Sequence, residues 1–282
     1  MFETLELRVD EEKAGLVFGP EEGLSLGSGL VRKIEMRLDD PRLGTVCRLE
    51  RELHAAGESP LFLGWCIKRH YSSKELAQAE LLCAWISAVF EPAGEETRTV
   101  YDEKDACPLC GAGRRQVGDL TLDIRRIPKR ADFAQTIAEE MVVSARMVAE
   151  LERTAATGLE LRDVRSKSKG HPITADWKQL WVVSRPVEVV QATKYGIDPC
   201  NPDTPGEHRC PLGHTLGLNL LSELHIERSS WDGSDFCLTR QLVGVKRGLL
   251  RPRPSLLVSQ RTYQHLMRVK ARGIKIEVVH LH

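Results

Sequence analysis

The stretch Cys107-Pro108-Leu109-Cys110-Gly111 returns further along the chain as Cys210-Pro211-Leu212-Gly213-His214. The same interval, 103 residues, separates Asp132-Phe133 from Asp235-Phe236. Downstream, Val142-Val143-Ser144-Ala145-Arg146 returns as Leu257-Val258-Ser259-Gln260-Arg261, and Gly158 returns as Gly273, now at an interval of 115. The 12 added residues fall between Phe236 and Leu257, where the sequence runs Val245-Lys246-Arg247-Gly248 through Pro252-Arg253-Pro254. Recurrence of unlike residue types at matched intervals reads as an internal duplication, which fixes the structural unit before any site is considered.

Within the first copy, Ser144 has the chemistry of an N-cap, since its hydroxyl can accept from an unpaired N–H of the first helical turn. Met147, Val148 and Leu151 then form one helical face, and Gly158 suits the left-handed position past the helix end. Leu159 to Val164 follows as a strand. The second copy reads alike, from Ser259 through Tyr263, Leu266 and Met267 to Gly273 and the strand Ile274 to Val279. Weaker strand signals lie at Leu122-Asp123-Ile124 and around Ile226. Between the copies, Arg165 to Gly170 reads as a solvated loop and Trp177 to Val183 as a strand with one buried face. Asp198 to Glu207 reads as an irregular loop.

Residues 1–100 share nothing obvious with the repeats and are expected to form an N-terminal module. Its signals are the apolar run Leu61 to Ile67 and a helix capped by Ser72 or Ser73. That helix is expected to continue through Ala77, Ala79, Leu81, Leu82 and Trp85 into the β-like segment Ile86 to Phe90. Pro92-Ala93-Gly94 breaks regular structure and marks the boundary. The expected fold is thus α+β: strand-helix-strand modules over 101–170 and 171–282, joined by a split zinc knuckle, plus the N-terminal α/β module.

A chain of 282 residues buries enough surface to fold without staples. Lysine plus arginine and aspartate plus glutamate both total 40, so no global field favours nucleic acid or an anionic membrane. The acidic start, with Glu3, Glu6, Asp10, Glu11 and Glu12, is unlike a secretory leader, and no apolar run reaches membrane-spanning length. A cytoplasmic location is expected. There the eight cysteines read as buried thiols and metal ligands rather than disulfides, with Cys47, Cys66, Cys83 and Cys237 assigned to the core.

Structural zinc takes four soft or borderline ligands in a tetrahedron, and two residues between cysteines let one tight turn present both sulfurs. Cys107 and Cys110 satisfy this, and Cys210 with His214 supplies a second half-site, giving a Cys3His set for one Zn2+. The alternatives are an unmetallated turn, since Gly213 stands where Cys110 does in the first copy, and a redox pair. Cys200 is the substitute ligand should Cys210 or His214 fail. The insert of the second copy gathers Lys246, Arg247, Arg251 and Arg253, either a solvated turn or a hairpin that contacts phosphates or an acidic partner. Asp132 and Asp235 could be a carboxylate pair, although aspartate in such places commonly binds its own backbone. The chain has no glycine-rich phosphate loop, Gly-x-Ser-x-Gly elbow or His-Glu-x-x-His helix, and its nine histidines are scattered. No enzymatic activity is expected.

Gly94-Glu95-Glu96, Tyr101-Asp102-Glu103, Cys107-Pro-Leu-Cys110-Gly-Ala-Gly, Thr136 to Glu140 and the tail Leu256 to Leu281 resemble a group of uncharacterised bacterial proteins. That group is similar to double-CxxCG swarm-inhibition and polymorphic-toxin immunity proteins. The resemblance covers about residues 85–282, and it departs from the pattern where the second CxxCG reads CPLGH. It implies a cytoplasmic protein that binds and neutralises a cognate toxin. A zinc-ribbon nucleic-acid binder using residues 246–253 is the competing expectation.

Overall fold

The computed structural model describes residues 1–27, 29–168, 170, 172–203, 210–212, 214, 218–244 and 248–282. The fold is α+β and mostly strand. The chain divides into two compact units, one of residues 1–76, 194–205 and 219–222, the other of residues 77–193, 206–218 and 223–282. Among the described residues, no helix is long and apolar enough to cross a membrane.

The first unit is built on the strand Phe2–Asp10, whose Leu5, Leu7 and Val9 alternate inward and are fully buried, as a period of two requires. It pairs antiparallel with Val31–Arg37 and Phe62–His70. The helix Leu43–Ala55 adds Val46, Cys47 and Leu53 to the core, and its buried Glu50 accepts the Leu61 N–H at 2.7 Å. The strand Tyr195–Asp198, with Asn201–Pro202 and Asn219–Leu220, forms a small second sheet. Two expectations change here. The segment from Asp198 is strand and turn as far as Pro202, with Thr204 to Glu207 outside the described residues. The unit also ends its first stretch at Leu76 rather than near residue 100, because the strand Leu81–Ile86 pairs within the second unit.

Cys47 and Cys200 are joined as a disulfide across 153 residues of sequence. Both were expected to be free thiols, Cys200 as a reserve metal ligand. Their pairing is invisible in spacing because only the approach of the helix to the 195–202 turn brings the Cα atoms to 4.7 Å. Cys83 and Cys237 are core residues as expected, whereas Cys66 is exposed. Replacing Cys200 with serine is expected to cost about 3 kcal/mol, since the cross-link restricts the unfolded chain. Urea unfolding checks the cost. Alkylation of the denatured, unreduced parent protein should spare Cys47 and Cys200; labelling of both would show that the bond is absent.

The helix capped near Ser72 stops at Gln78. Ser72 Oγ accepts the Glu75 N–H at 3.2 Å while the Glu75 carboxylate accepts the Ser72 N–H at 2.7 Å, a reciprocal cap. Leu81–Ile86, expected to prolong the helix, is a strand buried at nearly every position. It is flanked on both sides by other strands, and such strands carry continuous apolar runs without alternation.

The two larger sheets of the second unit are built alike. One runs Val89–Phe90, Phe133–Thr136, Met141–Ser144, Ile173–Val182, Leu159–Ser166, Leu120–Leu122; the other runs Phe236–Val243, Arg253–Ser259, Leu81–Ile86, Ile274–Leu281, Leu224–Ile226. In each, the last strand pairs parallel with its neighbour and the central strands pair antiparallel; Val89–Phe90 also pairs parallel with Phe133–Thr136 at the other edge of the first. Trp181 lies opposite Glu160 in one sheet as Trp85 lies opposite Lys275 in the other. The hairpin made by Phe236–Val243 and Arg253–Ser259 has longer arms than the one made by Phe133–Thr136 and Met141–Ser144.

The helices Ala145–Arg153 and Gln260–Arg268 both begin at the expected serine: Ser144 Oγ accepts the Met147 N–H at 3.3 Å and Ser259 Oγ accepts the Thr262 N–H at 3.2 Å. The expected glycines do not close them. Ala155 and Lys270 take the left-handed conformation at the helix ends, with the Ala156 N–H reaching Leu151 O and the Ala271 N–H reaching Leu266 O. Gly158 and Gly273 come three residues later, also with positive φ, and a Cβ on them would lie 2.2 Å from Phe236 O and 2.1 Å from Phe133 O. Glycine is required there by the close approach of a strand from the opposite sheet.

Asp132 and Asp235 sit at those approaches and are buried. Asp132 accepts from Ser144 Oγ at 3.3 Å, from Arg146 Nη2 at 2.6 Å and from the backbone N–H of Arg272 at 2.9 Å. Asp235 accepts from Ser259 Oγ at 2.6 Å, from Arg261, and from the backbone N–H of Thr157 at 2.9 Å. Each carboxylate therefore ties its own helix start to the segment just before the other sheet's glycine. They serve the backbone and are bound separately, so no carboxylate pair is formed.

Candidate metal centre

Cys107, Cys110, Cys210 and His214 converge, with one donor atom from each residue lying within 4.8 Å of all the others. The first half-site is made by a turn in which the Cys107 N–H donates to Ala112 O and the Gly111 N–H to Cys107 O, both at 2.7 Å. The Ala112 N–H also points at Cys110 Sγ, at 3.4 Å, a contact that favours thiolate. Gly111 has φ +75, so the residue after the second cysteine is glycine for its conformation, and the Arg251 side chain lies over it, with Cδ 2.6 Å from where a Cβ would stand. Leu242 packs on the three buried cysteines.

The donor spacings fit a tetrahedral ion. Metal–sulfur bonds of about 2.3 Å and metal–nitrogen bonds of about 2.0–2.1 Å give edges of about 3.8 Å between sulfurs and about 3.6 Å between sulfur and nitrogen. The structure has Cys107 Sγ to Cys210 Sγ at 3.7 Å, Cys110 Sγ to His214 Nδ1 at 3.5 Å and Cys210 Sγ to His214 Nδ1 at 3.8 Å. The cluster can hold a metal ion.

The thiols prepare for one unequally. At Cys107 burial opposes ionisation, but hydrogen bonding from the Cys110 and Leu109 backbone and the adjacent thiols outweighs it and brings the pKa down to about 6. At Cys110 burial dominates, and the neighbouring sulfurs Cys107 and Cys210 add to it, pushing the thiol up to about 11. Ionising one sulfur makes the next harder to ionise, a crowding of like charge that a bound cation removes.

The turn is braced from outside. Arg114 lies over the Tyr101 ring at 3.8 Å and pairs with Glu95 at 2.6 Å and Glu103 at 3.1 Å. Tyr101 in turn donates to Glu140, whose buried carboxyl is pushed above its ordinary value by desolvation, and whose other oxygen accepts from Thr136.

Of the basic insert, Lys246 and Arg247 lie outside the described residues. Arg251 covers Gly111 and donates to Leu250 O at 3.1 Å. Arg253 pairs with Glu139 at 2.8 Å, and both line a cavity of 170 Å³ with Trp85, Gln135, Met141 and Ser255. Burial drives the Glu139 carboxyl up to about 7 despite Arg253, and its φ of 72 is unusual for a residue with a side chain. Nothing in the sequence around Glu139 signalled this pairing, since its partner is 114 residues away. The metal cluster, by contrast, was readable because both half-sites kept their spacing. Comparison with known families finds no matching family model, and no curated protein matches the chain.

Proposed function

We propose that the protein is a zinc-stabilised binding protein of the immunity type, which neutralises a cognate bacterial toxin by occupying it. The observation that carries this reading is the closed donor set. Three buried cysteines and one histidine fill a tetrahedron and leave no position for water or substrate, the composition of a structural rather than a catalytic zinc site. A protein whose metal only holds its fold acts through its surface, and the motifs around Cys107 resemble those of immunity proteins.

The second unit is, in this reading, an internal duplication whose copies have exchanged a strand. Leu81–Ile86 precedes the first Cys-Pro-Leu motif yet lies in the sheet of the second copy; Ile173–Val182 precedes the second motif yet lies in the sheet of the first. Both chains then return to their own copy: Val89–Phe90 pairs with Phe133–Thr136, and Val187 bridges Thr239. The zinc knuckle joins the copies a second time, with two ligands from each. The nucleic-acid reading is disfavoured by Arg253, whose charge is met by Glu139.

Affinity capture of the tagged protein from its native strain, with nuclease treatment in parallel, tests the reading. The expected result is a near-stoichiometric protein partner that arrests growth when expressed alone and does not when co-expressed with this chain. Nucleic acid retained without a protein partner, or a partner whose toxicity is unaffected by co-expression, would overturn it.

A further inference from the structure

We propose that His225 and His282, flanked by His280 and Glu223, form a second metal site, for a divalent transition ion that prefers imidazole, such as Ni2+ or Cu2+. The strands Leu224–Ile226 and Ile274–Leu281 pair in parallel with Leu224 opposite Val279, His225 opposite His280 and Ile226 opposite Leu281. Leu224, Ile226 and Val279 are buried, so strand alternation turns His225 and His280 to the other face, and His282, two residues beyond His280, joins them. Sequence scatter becomes a cluster through this register alone.

The backbone beneath the rings is fixed. The His225 N–H donates to Thr193 Oγ1 at 2.9 Å and its carbonyl accepts the Val190 N–H at 2.9 Å. His282 donates its N–H to Ile226 O at 2.9 Å and accepts the Arg228 N–H at 2.8 Å, which extends the ladder past the strand end. On this frame His225 Nδ1 and His282 Nε2 stand 2.7 Å apart, the His225 and His280 rings stack with centroids 4.7 Å apart, and His280 Nε2 meets Glu223 Oε2 at 2.7 Å.

Two imidazole nitrogens bound at about 2.0–2.1 Å at a right angle on one ion lie about 2.9 Å apart, against about 3.3 Å in a tetrahedron. The observed pair needs only a slight opening for the right-angle arrangement, the one that Cu2+ and Ni2+ take in square-planar or tetragonal sites. Glu223 holds His280, whose ring stacks on His225, so the carboxylate steadies the pair through that ring. The site shares no residue with the cysteine cluster.

Calorimetric titration of zinc-loaded protein with Ni2+ tests this. One equivalent of nickel is expected, weakened at least tenfold in His282→Ala and abolished in His225→Ala/His282→Ala, and unchanged in His54→Ala, which removes an exposed histidine of the first unit. His282 is exposed, so its alanine variant keeps the fold and remains informative should the double variant not. Absence of nickel uptake, equal uptake by His282→Ala, or an equal loss in His54→Ala would overturn the proposal.

Discussion

Cys107→Ser is expected to release the metal ion and to destabilise the second unit by about 4 kcal/mol or more. The ligand set is closed, so the ion's binding free energy is folding free energy, and structural zinc sites in small domains reach about 10–16 kcal/mol. The loss here is smaller because two sheets remain to hold the unit, and because three donors retain part of the affinity. At about 2–4 °C per kcal/mol for a unit of this size, the melting temperature should fall by about 8–16 °C. Elemental analysis should show metal-to-protein ratio and melting temperature dropping together, with chelation of the parent protein reproducing the shift. An unchanged ratio in Cys107→Ser would remove the zinc reading.

Asp235→Ala is expected to cost about 3 kcal/mol. The carboxylate satisfies the part-buried Thr157 N–H, the Thr157 hydroxyl, the buried Ser259 hydroxyl and one exposed arginine, and truncation leaves the Ser259 hydroxyl and the Thr157 N–H without this acceptor. Arg261 is mostly exposed and regains water, so the loss stays below that of a fully buried ion pair. Asp235→Asn, which keeps an acceptor oxygen, should cost less than half as much. Asp132→Ala should behave alike, because its acceptor role at Ser144 and Arg272 is the same. Both losses should appear in urea unfolding. A cost under about 0.5 kcal/mol would show that the Thr157 and Arg272 segments are held without these carboxylates.

The same groups set the acid limit. Burial works against the ionised Asp235, but Arg261, Ser259 and the Thr157 N–H outweigh it and hold the carboxyl down to about 2, below its ordinary value of 3.8. A depressed pKa contributes stability that is fully present above the unfolded value. That stability is lost as pH falls through the window from about 4 to about 2. Asp132 is depressed in the same direction by Arg146 and Arg272, against its burial. In Asp235→Asn the slope of stability against pH across that window should flatten.

Local signals were legible where a residue's role depends on its chain neighbours. Ser144, Ser259 and Ser72 cap helices as their sequence context requires, and the strands Leu159–Ser166 and Ile274–Leu281 follow from short-range pattern. The helix expected through Leu81 failed because a strand enclosed on both sides carries an uninterrupted apolar run, which period alone does not distinguish from a buried helix. The glycines were recognised as left-handed but given the wrong duty, because the carbonyl of Phe236 or Phe133 that excludes a Cβ comes from far along the chain.

By itself, the sequence determined the spacing of the metal ligands, the capped helices with their following strands, and the repetition of both. Those depend on turns and periods of a few residues. Only the tertiary structure decided which sheet receives Leu81–Ile86, that Cys47 meets Cys200, that Glu139 answers Arg253 and that three histidines share one face. Each of these is a long-range pairing, selected by the burial of whole strands rather than by any preference of the residues paired, and so it leaves no mark in local sequence.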